Sequence, residues 1–165
     1  MKKLSTPSSL LLAALIATTL VACSQEPAEL VSEGQSALNS GKSADALGKF
    51  DEALKGLKAE DALWVDAKLG RIEALIDAQP AKAVEELLAL AQEKPTQFGE
   101  KQIVYVSGKL VSARKYLEAI DLVHQSIQRA GGEAPALMAQ IELIKKNAAS
   151  DKGAIDKLAG LGYIK

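Results

Sequence analysis

Three alanines, Ala46, Ala83 and Ala119, stand 37 and 36 residues apart, and each is followed four residues later by a large apolar side chain: Phe50, Leu87 and Val123. On a helix, a four-residue step keeps both side chains on one face. A small residue one turn before a large one, repeated at a near-constant interval, calls for a helix that meets a close neighbour and recurs along the chain. Composition agrees with helix. Ala, Leu, Glu and Lys are abundant, and these are good helix formers. Aromatic residues are only 4% of the chain, and alternating runs of β-branched residues are absent. The expected class is all-α.

From residue 28 to near the end, apolar residues recur at helical spacing. They predict helices at about 28–39, 43–57, 61–77, 81–93, 98–112, 115–130, 134–148 and 152–160. The breaks have physical causes. Gly41 follows Asn39-Ser40 and suits the left-handed position that ends a helix. Ser43 is placed to cap the second helix. Pro80 sits where a helix starts more readily than it continues. Pro95-Thr96 divides the fourth from the fifth, Gly131-Gly132 ends the sixth, and Ser150 or Asp151 caps the last.

Taken in pairs, the helices resemble one another. The first pair carries Leu30, Gly34, Ala37, Gly41, Ala46, Phe50 and Ala53; the third carries Ile103, Ser107, Tyr116, Ala119, Val123 and Ser126. Gly34 to Ala46 is twelve residues, with Phe50 four further and Ala53 three beyond that. This spacing, and the run Arg114-Lys115-Tyr116-Leu117-Glu118-Ala119-Ile120, resemble the tetratricopeptide repeat. The middle pair matches at Ala83 and Leu87. Its first helix departs, with Arg71 where the family has a small residue and Trp64 out of register. The resemblance covers about residues 28–131. It implies a right-handed solenoid of antiparallel helix pairs with three repeats, about 28–62, 63–96 and 98–132. Each pair leaves an apolar face open, so the ends need covering. The segment 133–165 is the expected C-terminal cap, with Leu137, Ile141, Leu143 and Ile144 facing the third repeat. Gly160 and Gly162 would end its last helix, and Tyr163-Ile164 would fold back as an apolar clasp.

The N-terminus reads as an address rather than as fold. Lys2 and Lys3 precede an apolar stretch, Leu10 to Ala17, and then Leu20-Val21-Ala22-Cys23, which contains the only cysteine of the chain. This resembles the lipobox of bacterial lipoproteins. The resemblance implies a signal peptide over residues 1–22, cleavage before Cys23, and acyl chains on Cys23 that hold the protein to a membrane. Residues 23–28 would be the acylated end and a short tether, leaving 29–165 as one helical domain. Ser24 stands where lipoproteins kept at the inner membrane often have Asp. In a Gram-negative source this implies the periplasmic face of the outer membrane.

Beyond Ala22 the chain carries 18 Lys and Arg against 21 Asp and Glu, a formal net charge of −3. Such a balance offers no basic surface for nucleic acid. The residues supply no catalytic constellation. His124 is the single histidine, where a metal site needs several ligands. Glu85-Glu86 and Asp51-Glu52 are adjacent in sequence, and adjacent helical residues do not face each other. Neither a phosphate-binding glycine loop nor a nucleophile elbow occurs. No enzyme activity, cofactor or metal is expected.

The family resemblance implies a concave groove lined by the first helix of each pair, holding a protein or peptide partner. Its candidate residues here are Gln35 and Asn39, Lys68 and Ile72, and Lys101, Tyr105 and Ser112. Lys68 and Lys101 would give that face positive charge, suiting an acidic or carboxylate-ended segment. The functional expectation is a lipid-anchored adaptor or scaffold in an envelope assembly serving the outer membrane, pili or polysaccharide export. The alternative is a regulator that activates an envelope enzyme such as a peptidoglycan synthase.

Overall fold

The computed structural model describes residues 25–132 and 134–164. Within them the chain forms eight α-helices and no strand: α1 (Pro27–Asn39), α2 (Ser43–Gly56), α3 (Ala62–Leu75), α4 (Pro80–Glu93), α5 (Glu100–Ser112), α6 (Tyr116–Arg129), α7 (Pro135–Asn147) and α8 (Lys152–Gly160). Successive helices pack on one another except α4 and α5, and the first helices of neighbouring pairs also touch: α1 on α3, α3 on α5, and α5 on α7. This is the all-helical, helix-pair solenoid that the spacing predicts. No helix among the described residues is long and apolar enough to cross a membrane.

The alanine spacing works by letting helices approach. Ala46, Ala83 and Ala119 are fully buried, as are Phe50, Leu87 and Val123. Phe50 shows the device most plainly. Its ring lies between Gly34 of α1 and Gly70 of α3; a methyl on Gly34 would stand 2.9 Å from the ring, and one on Gly70 would overlap it. The small residue of the middle pair is therefore Gly70, not position 71. Gly70 and Ala83 are thirteen residues apart, against twelve for Gly34–Ala46 and for Ser107–Ala119. One additional residue between α3 and α4 shifts the register that a constant spacing implies.

Arg71, thus displaced, turns to the outer side and joins three helices. Its Nε lies 2.5 Å from Asp51 Oδ1 of α2, and its Nη1 pairs with Glu86 of α4. Burial works against the guanidinium charge, and the two carboxylates overcome that effect, holding the arginine above its ordinary range.

The C-terminal segment is itself a helix pair. Ala154, Leu158 and Leu161 repeat the four- and three-residue steps of Ala46, Phe50 and Ala53, and Ala154 and Leu158 are fully buried. It covers the third pair through α5–α7, α6–α7 and α6–α8 packing. Gln140 of α7 donates to the buried Ser107 hydroxyl of α5, 3.2 Å away, which satisfies two polar groups inside the junction.

Most turns close as the sequence predicts. Asp151 caps α8 by accepting from the Ala154 amide at 2.9 Å. After α8, Gly162 has φ +82°, and the Tyr163 amide reaches back to Leu158 O at 2.9 Å. The turn after α5 makes the same bonds with Arg114 in the left-handed position, φ 58°. A side chain there costs roughly 1–2 kcal/mol that glycine avoids. Leu143, expected to face the third repeat, is exposed instead, and two further expectations change. Ser43 is inside α2 rather than its cap, and its hydroxyl donates to Asp77 instead. Phe98 lies in the loop before α5, fully buried, with its ring edge-on to Trp64 at 6.0 Å.

Candidate functional site

The first helices of the three leading pairs enclose a cleft of about 670 Å³ between α1, α3 and α5. Its apolar wall is Val31 from α1 with Leu63, Val65 and Leu69 from α3. Its polar groups are Ser32 and Gln35 from α1, Asp66 and Glu73 from α3, and Lys101, Gln102 and Tyr105 from α5. The three helices lie side by side because each presents a small residue, Gly34, Gly70 or Ser107, to the buried layer behind it. The faces beside these residues are left to the cleft, whose lining includes Gly70 itself.

A polar cluster fixes one end of it. The Glu73 side chain is 14% exposed. It accepts a hydrogen bond from the Tyr105 hydroxyl at 2.6 Å and another from the Lys109 ammonium. The same ammonium lies 5.3 Å from the centre of the Tyr105 ring. Burial, aided by the Glu73 hydrogen bond, raises the Tyr105 pKa. The bond to Glu73 raises that of Lys109. Two helices are thereby cross-tied, and the Tyr105 ring, 44% exposed, is held at a set angle over the cleft. A rigid aromatic face beside a short apolar strip is suited to gripping an extended chain, because little side-chain entropy remains to be lost on binding.

The sequence-predicted residues divide. Gln35, Lys101 and Tyr105 meet in the cleft. Asn39 and Ser112 are exposed at the last residues of α1 and α5, beyond it; the Ser112 hydroxyl donates to Gly108 O at 3.0 Å. Ile72 is not exposed at all: it is fully buried in the core with Leu75 and Leu87. Lys68 is half-buried away from the cleft, its ammonium 5.3 Å from the Trp64 ring centre, with the Lys94 ammonium 5.5 Å from the same ring. The physical reason is the register of α3. Asp66, Leu69 and Glu73 form one stripe at three- and four-residue steps, whereas Lys68 and Ile72 belong to other faces of the helix. The positive face expected from Lys68 with Lys101 is therefore not formed. Lys101 shares its cleft with Asp66 and Glu73.

Two further expectations concern the termini. Tyr163 packs as a clasp: its hydroxyl is 3.0 Å from His124 Nδ1, and the two rings meet edge to face at 5.8 Å. Cys23 and the Leu20–Cys23 motif lie outside the described residues. Compared with protein-family models, curated proteins and solved structures, the chain finds no match.

Proposed function

We propose that this chain is a lipid-anchored adaptor of the tetratricopeptide kind, acting in a bacterial envelope and holding a protein partner in the cleft of α1, α3 and α5. The observation that carries the reading is the convergence of Gln35 of α1 with Lys101 and Tyr105 of α5 on one cleft, from the first and third repeats. The partner is an extended segment whose apolar side chains cover Val31, Leu63 and Leu69. Gln35, Ser32 and Gln102 meet its backbone polar groups. With Asp66 and Glu73 beside Lys101, the cleft does not select for a strongly acidic segment, and tyrosine is the type of residue that anchors such contacts.

The test is a change at exposed cleft residues that spares the fold. Tyr105→Ala with Gln35→Ala should leave the helical signal and melting temperature within a few degrees of the parent. Recovery of the partner from detergent-solubilised envelopes should fall about tenfold, the loss expected from roughly 1.4 kcal/mol at an aromatic anchor. Undiminished recovery would place binding elsewhere on the molecule.

The anchor is tested separately. A second acyl chain makes membrane attachment stable without a basic patch, so attachment should depend on the acceptor thiol. Cys23→Ser should abolish fatty-acid labelling and release the protein from the membrane fraction. A variant that still labels and still sediments with membranes would rule out acylation at this residue.

A further inference from the structure

We propose that the junction of α4, α5, α6 and α7 holds a second binding site, for an apolar molecule carrying a single carboxylate. This proposal does not depend on the adaptor reading. A cavity of about 550 Å³ opens there, and it shares no residue with the cleft. Its origin is a change in the packing rule. Elsewhere the second helix of a pair packs on the first helix of the next, as α2 does on α3 and α6 on α7, but α4 packs instead on α6. The loop 94–99 spans the gap, and the buried Phe98 plugs only its base. Small residues, Ala91, Gly99, Ala130 and Ala134, leave the rest open.

The walls are chiefly apolar, with Ile103 and Leu137 completing them. The volume lies within the range of small-molecule sites. Among the described lining residues there is one basic side chain, Arg129, and one acidic, Glu100. Glu100 is in the first turn of α5, where the helix amides offset its charge. Arg129 is positioned differently. Its Nη1 donates to Leu88 O at 2.7 Å, which fixes the guanidinium plane at the rim, and among the described residues its other donors have no hydrogen-bond partner. A fixed guanidinium beside an apolar cavity matches a carboxylate head on an apolar tail, because the planar fork pairs with both carboxylate oxygens.

Titration calorimetry of the full chain decides this with three probes: dodecanoate below its aggregation concentration, dodecan-1-ol, and acetate. Dodecanoate should saturate at one equivalent, bind at least tenfold more tightly than the alcohol, and leave acetate without measurable heat. Arg129→Gln should bring dodecanoate down to the affinity of the alcohol, and Arg129→Lys should restore part of the difference. Ala91→Leu, which fills the cavity, should weaken both long-chain probes at least tenfold. Dodecanoate binding that fails to saturate at one equivalent would overturn the proposal. So would equal binding by the parent, Arg129→Gln and Ala91→Leu.

Discussion

Phe50→Ala is expected to lower the unfolding free energy by about 3–5 kcal/mol, the usual cost of emptying a large aromatic site in a core. Phe50 is fully buried. Its ring is the part that Gly34 and Gly70 make room for, and these two neighbours have no side chain to fill the space. With total stabilities of small domains near 5–15 kcal/mol, the variant would lose a large share of its reserve. Urea denaturation followed by circular dichroism measures it. A loss below about 1 kcal/mol would mean that Phe50 does not wedge α1, α2 and α3 together.

The second large effect comes from the other side of the same contact. Gly70→Ala places a methyl where the Phe50 ring stands, and overpacking of this kind costs roughly 1–3 kcal/mol. The diagnostic is coupling. Trimming the ring by Phe50→Leu should recover part of the loss, so that Gly70→Ala costs less in the Phe50→Leu background than in the parent. Residues in direct contact show such non-additivity, of about 0.5–3 kcal/mol. Strict additivity across the four proteins would show that the two residues do not meet.

These two residues also explain how far the sequence could be read. The helices and their ends were legible because their causes are local: Gly41, Pro80, Gly131 and Asp151 each act within one turn. The layer of Ala46, Phe50, Ala83, Leu87, Ala119 and Val123 was legible because a small residue four before a large one has meaning only where helices meet closely. The face of α3 was not legible. Its rotation is set by Gly70 receiving a side chain from α2, a contact made across twenty residues of sequence. Counting a constant twelve residues back from Ala83 gives Arg71 and turns the helix by about 100°. Undoing that one-residue step moves Lys68 and Ile72 only to Ala67 and Arg71, so the stripe of Asp66, Leu69 and Glu73 is set by how α3 packs between α1 and α5. On α1 and α5, where the twelve-residue spacing holds, Gln35, Lys101 and Tyr105 came out on the cleft. Two other features carry a local signal in the sequence. Ala154, Leu158 and Leu161 continue the alanine series into a fourth pair, hidden because α8 has only nine residues. Phe98 precedes a glycine after Pro95-Thr96, which marks loop rather than helix. The Glu73–Tyr105–Lys109 cluster had no such signal, since Glu73 is more than thirty residues from the other two and meets them only through the packing of α3 on α5.

The cleft along α1, α3 and α5 is where we propose that a partner is held. Site-specific photo-crosslinking in cells tests it most directly, with a benzophenone amino acid in place of Tyr105 in the cleft or of the exposed Lys55 on α2. A partner held in the cleft should give a discrete crosslinked band at position 105, absent at position 55 and lost when the Gln35→Ala and Lys101→Glu changes are added. Crosslinks of equal strength at both positions, or at 55 alone, would contradict it.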